Sequence, residues 1–596
     1  MFLSNGTKGY IRSGIIFYIF LLALFLLTSR GIDYSDIFVR GRTFLVPTIL
    51  LIIVRYIQKE NSFAPPLWTL LVFSYSSILW GIILPTVNIL TDYTQYVNSS
   101  YEILFGAYLF LFFIAIRNFL VNKCEKIIWC ILSMLLSIVP IAEMIYVSIY
   151  GKMLSGTDFL AMLQTPSSVW WEWVNTYVGL LGIALIIVVI AAWNIFVVKV
   201  SFHTSTVILP SKKKLLLLCI GILVLCYCGI LFGKTWEASA WRGAQNYIEE
   251  EKQFLTDHGE SYENLRLEHP NDTLACKVPG TVILVIGESA SRDHMKCYRP
   301  DYPYDDTPWW SAMQTNPNFI QFSNVYACYN QTAVALSEVL TEKSQYNDKE
   351  FRGSCTILDI AKKAGYKTYW ITSQGLGGKD NSAISLIGET ADITETVESK
   401  NGKAAYDKDI LPIMMNLANK NENNFIVLHI WGSHGKYDWR YPDTDTVFPK
   451  DDAEGNYANT IHYTDDFLRE VFDYAHKNLN LQLMLYVSDH GENIYKGHNP
   501  KLTGFDQVRI PMFIYFSPNY ERIFQSKIKV LQGRKNECYS NDMLYNTLSG
   551  LLNAKSNNYD AREDLSSEKY RFDRNTVLTF LGKRYISEDD DLSFDN

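Results

Sequence analysis

Three residues at the ends of apolar runs have the types and the company of a metal centre. Asp489 and His490 are adjacent in "YVSDHGEN", directly after an apolar stretch, where both side chains can turn toward one point. Glu288 ends another such stretch, "TVILVIGES". Carboxylate oxygen and imidazole nitrogen are donors that zinc accepts. Singly, an Asp-His pair after a strand is also a turn or an Asx cap, and Glu288 is also an acid at a helix N-terminus, favoured by the macrodipole. Together they offer three ligands, and a catalytic zinc takes three protein ligands plus one open or reactive position.

The elements that must position these residues form a repeating pattern. "TVILVIGES" is an apolar, β-branched run ending in a polar cluster, the signature of a buried parallel strand. "YKTYWITSQ" follows the helix-like "CTILDIAKKAG", "NFIVLHIWGSHG" follows "AAYDKDILPIMMNLANK", and "LQLMLYVSDHGEN" follows "NTIHYTDDFLREVFDYAHKN". This alternation predicts an α/β domain with a mostly parallel central sheet flanked by helices. Ligands of such sheets bind beyond the carboxyl ends of the strands. Glu288, His434, Asp489 and His490 all fall there.

Upstream the chain is of another kind. Seven segments, 15–28, 44–57, 67–90, 103–120, 127–149, 178–198 and 215–232, are apolar over lengths that can cross a bilayer, the first two with help from their flanks. No small-residue cleavage site follows the first, so it reads as a retained helix. With the N-terminus inside, the inner pieces carry Lys8, Arg12, Arg55, Lys59, Arg117, Lys123, Lys126, Lys199 and Lys212 to Lys214, against Arg30, Arg40, Arg42 and Lys152 outside. The positive-inside rule then places everything after about residue 233 outside. The expected organisation is an N-terminal α-helical transmembrane bundle (1–233), an amphipathic helix and polar linker (234–277), an exported α/β domain (278–585) and an acidic tail (586–596). The tail, "SEDDDLSFDN", has the composition of a disordered end.

A net charge of −8 with no basic stripe argues against a nucleic-acid partner. Cys124, Cys130, Cys219, Cys226 and Cys228 lie in or beside the apolar segments, where cysteine is a small apolar residue. Cys276, Cys297, Cys328, Cys355 and Cys538 lie in the exported part, where disulfides are permitted. Five is odd, so at most two bridges form.

The order of "VIGESASR", "FSNVYACYNQTAVALSEVLT", "HIWGSHGKYDWRYP" and "YVSDHGEN" resembles the phosphoethanolamine transferases of Gram-negative envelopes. These are multi-pass inner-membrane enzymes whose periplasmic catalytic domain belongs to the alkaline phosphatase and sulfatase superfamily. The resemblance implies transfer of phosphoethanolamine from phosphatidylethanolamine to a lipopolysaccharide or lipooligosaccharide acceptor, a core sugar or lipid A, through a phosphorylated threonine. It places that nucleophile on Thr332 and makes Thr332 a zinc ligand beside Glu288, Asp489 and His490. Coordination to Zn²⁺ would stabilise the threonine alkoxide, as it lowers the pKa of bound water to roughly 7. A helix N-terminus under Thr332 would offer amides to the same phosphate. His434 in "GSHG" matches a phosphate-side or second-metal histidine, His498 in "YKGHNP" a similar role, and Lys379 in "SQGLGGKDNS" a phosphate contact.

The departures from the family are specific. The family commonly has five spans, against seven here. Its "LAMLQTPSSVWWEW"-like loop has a glutamate four residues after a threonine; this chain has Val169 after Thr165, and Trp170, Trp171 and Trp173 make the loop interfacial. Lipid A members often bridge a cysteine before the nucleophile to one six residues after it; here Cys328 is kept and Glu338 takes the second place. That absence and the "GES" form with Ser289 favour an inner-core sugar over lipid A. Competing readings are a glycerol-phosphate transferase resembling lipoteichoic acid synthase and a non-catalytic envelope scaffold. A sulfatase needs a C/S-x-P-x-R motif, and "CYNQT" lacks its Pro and Arg.

Overall fold

The structure is a computed structural model, and it describes residues 5–58, 75–91, 98–116, 119, 123–150, 153–164, 174, 179–202, 209–374, 383–397, 405–495, 497 and 504–594. The chain divides into two compact units, Met1–Phe159 with Trp173–Gln245, and Leu160–Glu172 with Asn246–Asn596.

The first unit is helical. Among the described residues four of its helices are long and apolar enough to cross a membrane: Gly9–Thr28, Tyr34–Gln58, Ile131–Ile149 and Ser211–Phe232. Tyr75–Leu90, Ser100–Ile116 and Gly179–Trp193 are shorter apolar helices. Ser100–Ile116 is buried along almost its whole length. A Cβ on Gly106 would stand 2.4 Å from the Gly81 Cα, so two glycines let the backbones of neighbouring helices touch. Elsewhere apolar side chains face outward, Leu181 at 87% and Leu223 at 70% exposure. That arrangement suits a hydrocarbon solvent and not water.

The second unit is built on a seven-stranded sheet. Its strands are β1 (Thr281–Gly287), β2 (Phe319–Phe322), β3 (Lys367–Thr372), β4 (Ile393–Thr396), β5 (Asn424–His429), β6 (Leu481–Ser488) and β7 (Met512–Phe516). They lie in the order β2-β7-β6-β1-β5-β3-β4. β1 runs parallel to β5 and β6, and β3 runs parallel to β4 and β5; β7 is antiparallel to both of its neighbours. Each residue of β1 is buried, with Val282, Leu284 and Ile286 in one apolar core and Ile283 and Val285 in the other. A strand apolar on both faces needs a layer on each side, which explains why its sequence does not alternate.

Two expectations about the edges of this unit are corrected. The expected amphipathic helix runs over Trp236–Asn264, but residues 265–277 after it are not a free polar linker. Leu265 and Leu274 are buried in the core, and the Thr273 hydroxyl donates to the Ala364 carbonyl at 2.9 Å. Nor is the acidic tail a disordered end. Asp589 is buried and ion-paired to Arg509, whose Nε stands 2.9 Å from it. Asp591 meets Arg299 at 2.6 Å, and the Phe594 ring lies under the Arg292 and Arg299 guanidinium groups at 5.0 and 5.3 Å. Composition alone predicts a solvated segment; the basic wall that neutralises it comes from two distant parts of the chain, Arg292 with Arg299 and Arg509.

Candidate metal centre

The site begins with strand register. In the β1–β6 ladder Gly287 pairs with Ser488, so Glu288 and Asp489 leave the sheet side by side, 201 residues apart in sequence. The Asp489 amide donates to the Gly287 carbonyl at 3.0 Å, extending the ladder one step. His490 follows in the turn. Glu288, Asp489 and His490 are each at most 1% exposed, and one ligand atom from each lies within 4.8 Å of the others.

The turn after β1 is held in an unusual conformation. Ser289 has φ of 56°, left-handed and costly for a residue with a Cβ. Its amide donates to Asp489 Oδ1 at 3.0 Å and its hydroxyl to Glu288 Oε1 at 2.8 Å. The buried Tyr457 hydroxyl accepts from the Ser291 amide and donates to the Ser289 carbonyl, both at 2.8 Å. Against this turn packs Gly432, with φ of 49°; a Cβ there would stand 2.7 Å from the Glu288 carbonyl oxygen. Asp407 fixes that second loop by accepting from the Ser373 hydroxyl and from the Trp431 and Gly432 amides at 2.7–2.9 Å.

Thr332 opens the helix Thr332–Val339, whose Val334, Leu336 and Val339 are anchored in the core. Its hydroxyl donates to Glu288 Oε2 at 3.0 Å and lies 3.2 Å from His490 Nε2. His490 Nε2 is in turn 3.2 Å from Glu288 Oε1 and 3.4 Å from Asp489 Oδ2. The His490 Nδ1 is 2.8 Å from the Gly491 carbonyl. A carbonyl only accepts, so Nδ1 carries a proton, and Nε2 is the ring nitrogen that a metal would take.

These donors fit zinc. Donors at zinc distances from one tetrahedral centre stand roughly 3.3 Å apart; Thr332 Oγ1 and His490 Nε2 are 3.2 Å apart, and each lies 3.0–3.2 Å from one of the two Glu288 oxygens. Asp489 Oδ2 is buried and accepts no hydrogen bond, an orphaned anionic oxygen aimed at the centre. Burial, with the Glu288 charge, pushes the Asp489 carboxyl up to about 7. Burial opposes charge on His490, but Asp489 and Glu288 outweigh it and hold the imidazole up to about 10. Both directions express one demand, for positive charge between two carboxylates.

Three supporting residues escaped the sequence reading. Asn541 accepts from the Cys328 amide at 2.8 Å and donates to the Asp489 carbonyl at 2.9 Å, tying the Thr332 segment to the end of β6. Gln374, just past β3, donates to Glu288 Oε2 at 3.3 Å and to the Ile430 carbonyl at 2.8 Å. His429, at the end of β5, shares a 3.0 Å hydrogen bond with Thr372, and burial lowers its pKa to about 4. Gln374 and His429 sit at strand C-termini, so the rule that found Glu288 could have found them. Asn541 carries no such signal.

His434 is not part of the metal-ligand group. Its Nδ1 is 2.5 Å from the Gly435 carbonyl and its ring meets Trp431 edge-on. Lys379, His498 and Thr165 lie outside the described residues. Among the described residues Cys276, Cys297, Cys328 and Cys355 form no disulfide. Where the resembling lipid A enzymes have a second cysteine, Glu338 is 2.6 Å from Lys343 Nζ, a largely buried ion pair at the far end of the Thr332 helix.

Residues 280–554 match the sulfatase family model. Phosphoethanolamine transferase CptA of Salmonella typhimurium is 25% identical over 556 residues, spanning 85% of this chain and 92% of its own. Phosphoethanolamine transferase EptC of Escherichia coli is 25% identical over 553 residues, with the same coverage. The integral membrane lipooligosaccharide phosphoethanolamine transferase A of Neisseria meningitidis superposes with a TM-score of 0.56 at 18% identity, covering 83% of this chain and 97% of its own. That likeness is one of fold. The two relatives compared by sequence are named as transferases, and so are enzymes.

Proposed function

We propose that this chain, whose residues 280–554 match the sulfatase family model and which is 25% identical over most of its length to phosphoethanolamine transferases, is a zinc-dependent phosphoethanolamine transferase. Phosphatidylethanolamine is the donor, and a lipopolysaccharide or lipooligosaccharide, at a core sugar or lipid A, is the acceptor. The protein sits in the inner membrane with its catalytic domain in the periplasm. The observation that carries this reading is the Thr332 hydroxyl, within 3.2 Å of both Glu288 and His490 at the C-terminal edge of the sheet.

Glu288, Thr332, Asp489 and His490 would hold a zinc ion, which would supply Lewis-acid chemistry to the threonine hydroxyl and to a phosphoryl oxygen. Thr332 Oγ1 attacks the donor phosphorus; the bond to the glycerol oxygen breaks, and diacylglycerol leaves with a proton. An acceptor hydroxyl then attacks the phosphothreonine from the opposite side, its proton leaves, and Thr332 is regenerated. The helix beneath Thr332 holds the nucleophile through both displacements, since its apolar face is locked in the core.

The test uses full-length protein in detergent with phosphatidylethanolamine labelled in its acyl chains. Expected are labelled diacylglycerol, a phosphoethanolamine mass on Thr332, and loss of both in Thr332→Ala. Envelope glycolipids from cells with and without the gene should differ by one phosphoethanolamine. Turnover of phosphatidylglycerol in place of phosphatidylethanolamine would replace this reading with a glycerol-phosphate transferase; turnover of neither would leave a scaffold.

A further inference from the structure

A second group of buried carboxylates lies wholly within the helical unit. Glu102 opens the helix Ser100–Ile116, Glu143 lies near the end of Lys123–Tyr150, and Glu237 lies in the first turn of Trp236–Asn264. They are 5%, 2% and 3% exposed. The Trp236 amide donates to Glu102 Oε1 at 2.9 Å, the Leu154 amide to Glu143 Oε1 at 2.9 Å, and the Trp236 indole to the Leu154 carbonyl at 2.6 Å. These bonds gather the three helix ends where the chain leaves its last long apolar helix, and the Glu102 and Glu143 charges both act on Glu237.

Three oxygens in this group have no hydrogen bond: both of Glu237 and Oε2 of Glu102. The adjacent Thr235 hydroxyl donates to the Phe232 carbonyl at 2.9 Å and is, among the described residues, the one neighbouring hydroxyl that also acts on Glu237. Among the described residues neither Glu102 nor Glu237 makes an ion pair. Arg40 instead stacks on Tyr101 at 4.7 Å, with Lys234 over the same ring at 5.7 Å, and the buried Arg40 Nε has no acceptor. Unpaired buried carboxylates are costly, so this arrangement calls for a cation with donors to give. A primary ammonium has three N–H donors, one for each free oxygen. A trimethylated ammonium has none. The cations at Tyr101, next to Glu102 in sequence, suit an adjoining phosphate. Trp236 and Trp241, 44% and 42% exposed, are the residues a headgroup layer favours.

We propose that Glu237 and Glu102 bind the primary ammonium of a phosphatidylethanolamine headgroup, with Arg40 and Lys234 facing its phosphate, so that the helical unit selects the donor lipid. The donor's identity rests on the function proposed above. The same ammonium chemistry is available from soluble ethanolamine, and the test separates the two.

Full-length Thr332→Ala protein, which does not turn lipid over, is titrated with fluorescent-tailed phosphatidylethanolamine in phosphatidylcholine nanodiscs. Binding should weaken about tenfold in Glu237→Gln and in Glu102→Gln on that background and be restored in part by Glu237→Asp. N-Methylated phosphatidylethanolamines should bind progressively more weakly to the parent but not to the Gln variants. Millimolar ethanolamine should fail to compete if the lipid is the ligand; competition at that level would overturn the lipid assignment. Unchanged affinity and unchanged headgroup preference in a folded Gln variant would mean ligand-free, protonated carboxyls and would overturn the site. Should Glu237→Gln not fold, Glu102→Gln carries the test. A Thr332-intact enzyme that transfers nothing, beside Glu237-dependent binding, would sink the proposed function and leave this site standing.

Discussion

The hydroxyl of Thr332 donates to Glu288 Oε2 across 3.0 Å, joining the first turn of a helix to the end of a strand 44 residues earlier. This contact turns a cluster of two acids and a histidine into a place where a nucleophile can be activated. Several measurements probe it and its supports.

If Thr332 is the nucleophile proposed above, Thr332→Ala should lower kcat/KM by about a thousandfold or more, because it removes the hydroxyl placed at Glu288 and His490. Its zinc content should stay near that of the parent, since Glu288, Asp489 and His490 remain. Rapid-quench labelling and metal analysis read the two effects separately. Wild-type turnover in this variant would contradict the assignment.

Removing metal should destabilise the fold. With free zinc a hundredfold above its Kd, the bound ion contributes about 2.7 kcal/mol, so chelation should lower Tm by several degrees. Asp489→Asn and His490→Gln should be indifferent to chelator. A Tm that ignores zinc in the parent would count against the site.

Asn541→Ala removes the acceptor of the Cys328 amide and a donor to the Asp489 carbonyl together. A buried donor left unsatisfied costs about 1–3 kcal/mol, measurable by urea unfolding. Activity should fall further than stability explains, because Asn541 ties the segment leading to Thr332 to the end of the strand that carries Asp489. Equal losses would reduce it to a packing residue.

The Glu338–Lys343 pair should behave as a coupled unit. Either single Ala substitution strands a buried charge, at about 3–5 kcal/mol, while the double variant should cost less than the sum. A double-mutant cycle in Tm or denaturant midpoint measures the coupling. Strict additivity would show that the two side chains do not depend on each other.

The C-terminal segment should loosen in acid. Ser593 and the Arg299 and Arg292 charges outweigh burial and hold the Asp591 carboxyl down at about 2. An unfolded aspartate titrates near about 3.9. A depressed folded value means that the contribution is complete above the unfolded value and is lost as pH falls toward the folded one. Hydrogen exchange over residues 586–594 should therefore quicken between those limits, and Asp591→Asn should flatten that dependence. Exchange that is already fast at neutral pH would show the segment undocked.

Much of this protein is legible in one dimension because its patterns report a local solvent. Apolar runs mark helices exposed to hydrocarbon and strands buried on both faces. Glu288, Asp489 and His490 stand out because each ends such a run. Spacing carries no comparable mark for Thr332, which is placed only by resemblance to a family. Distance in the fold decided the rest. The pairing of Gly287 with Ser488 sets two carboxylates side by side, and no local pattern encodes a register between strands two hundred residues apart. Asn541 looks like any loop asparagine until it spans the nucleophile segment and the end of β6. The acidic tail has the composition of a solvated end, yet Arg292, Arg299 and Arg509 converge to neutralise it. Glu237 reads as an ordinary first-turn acid; only the packing of three helix ends removes its water and leaves its oxygens without donors. Composition and periodicity are sums over neighbours in sequence. Charge pairing, desolvation and ligand geometry are sums over neighbours in space.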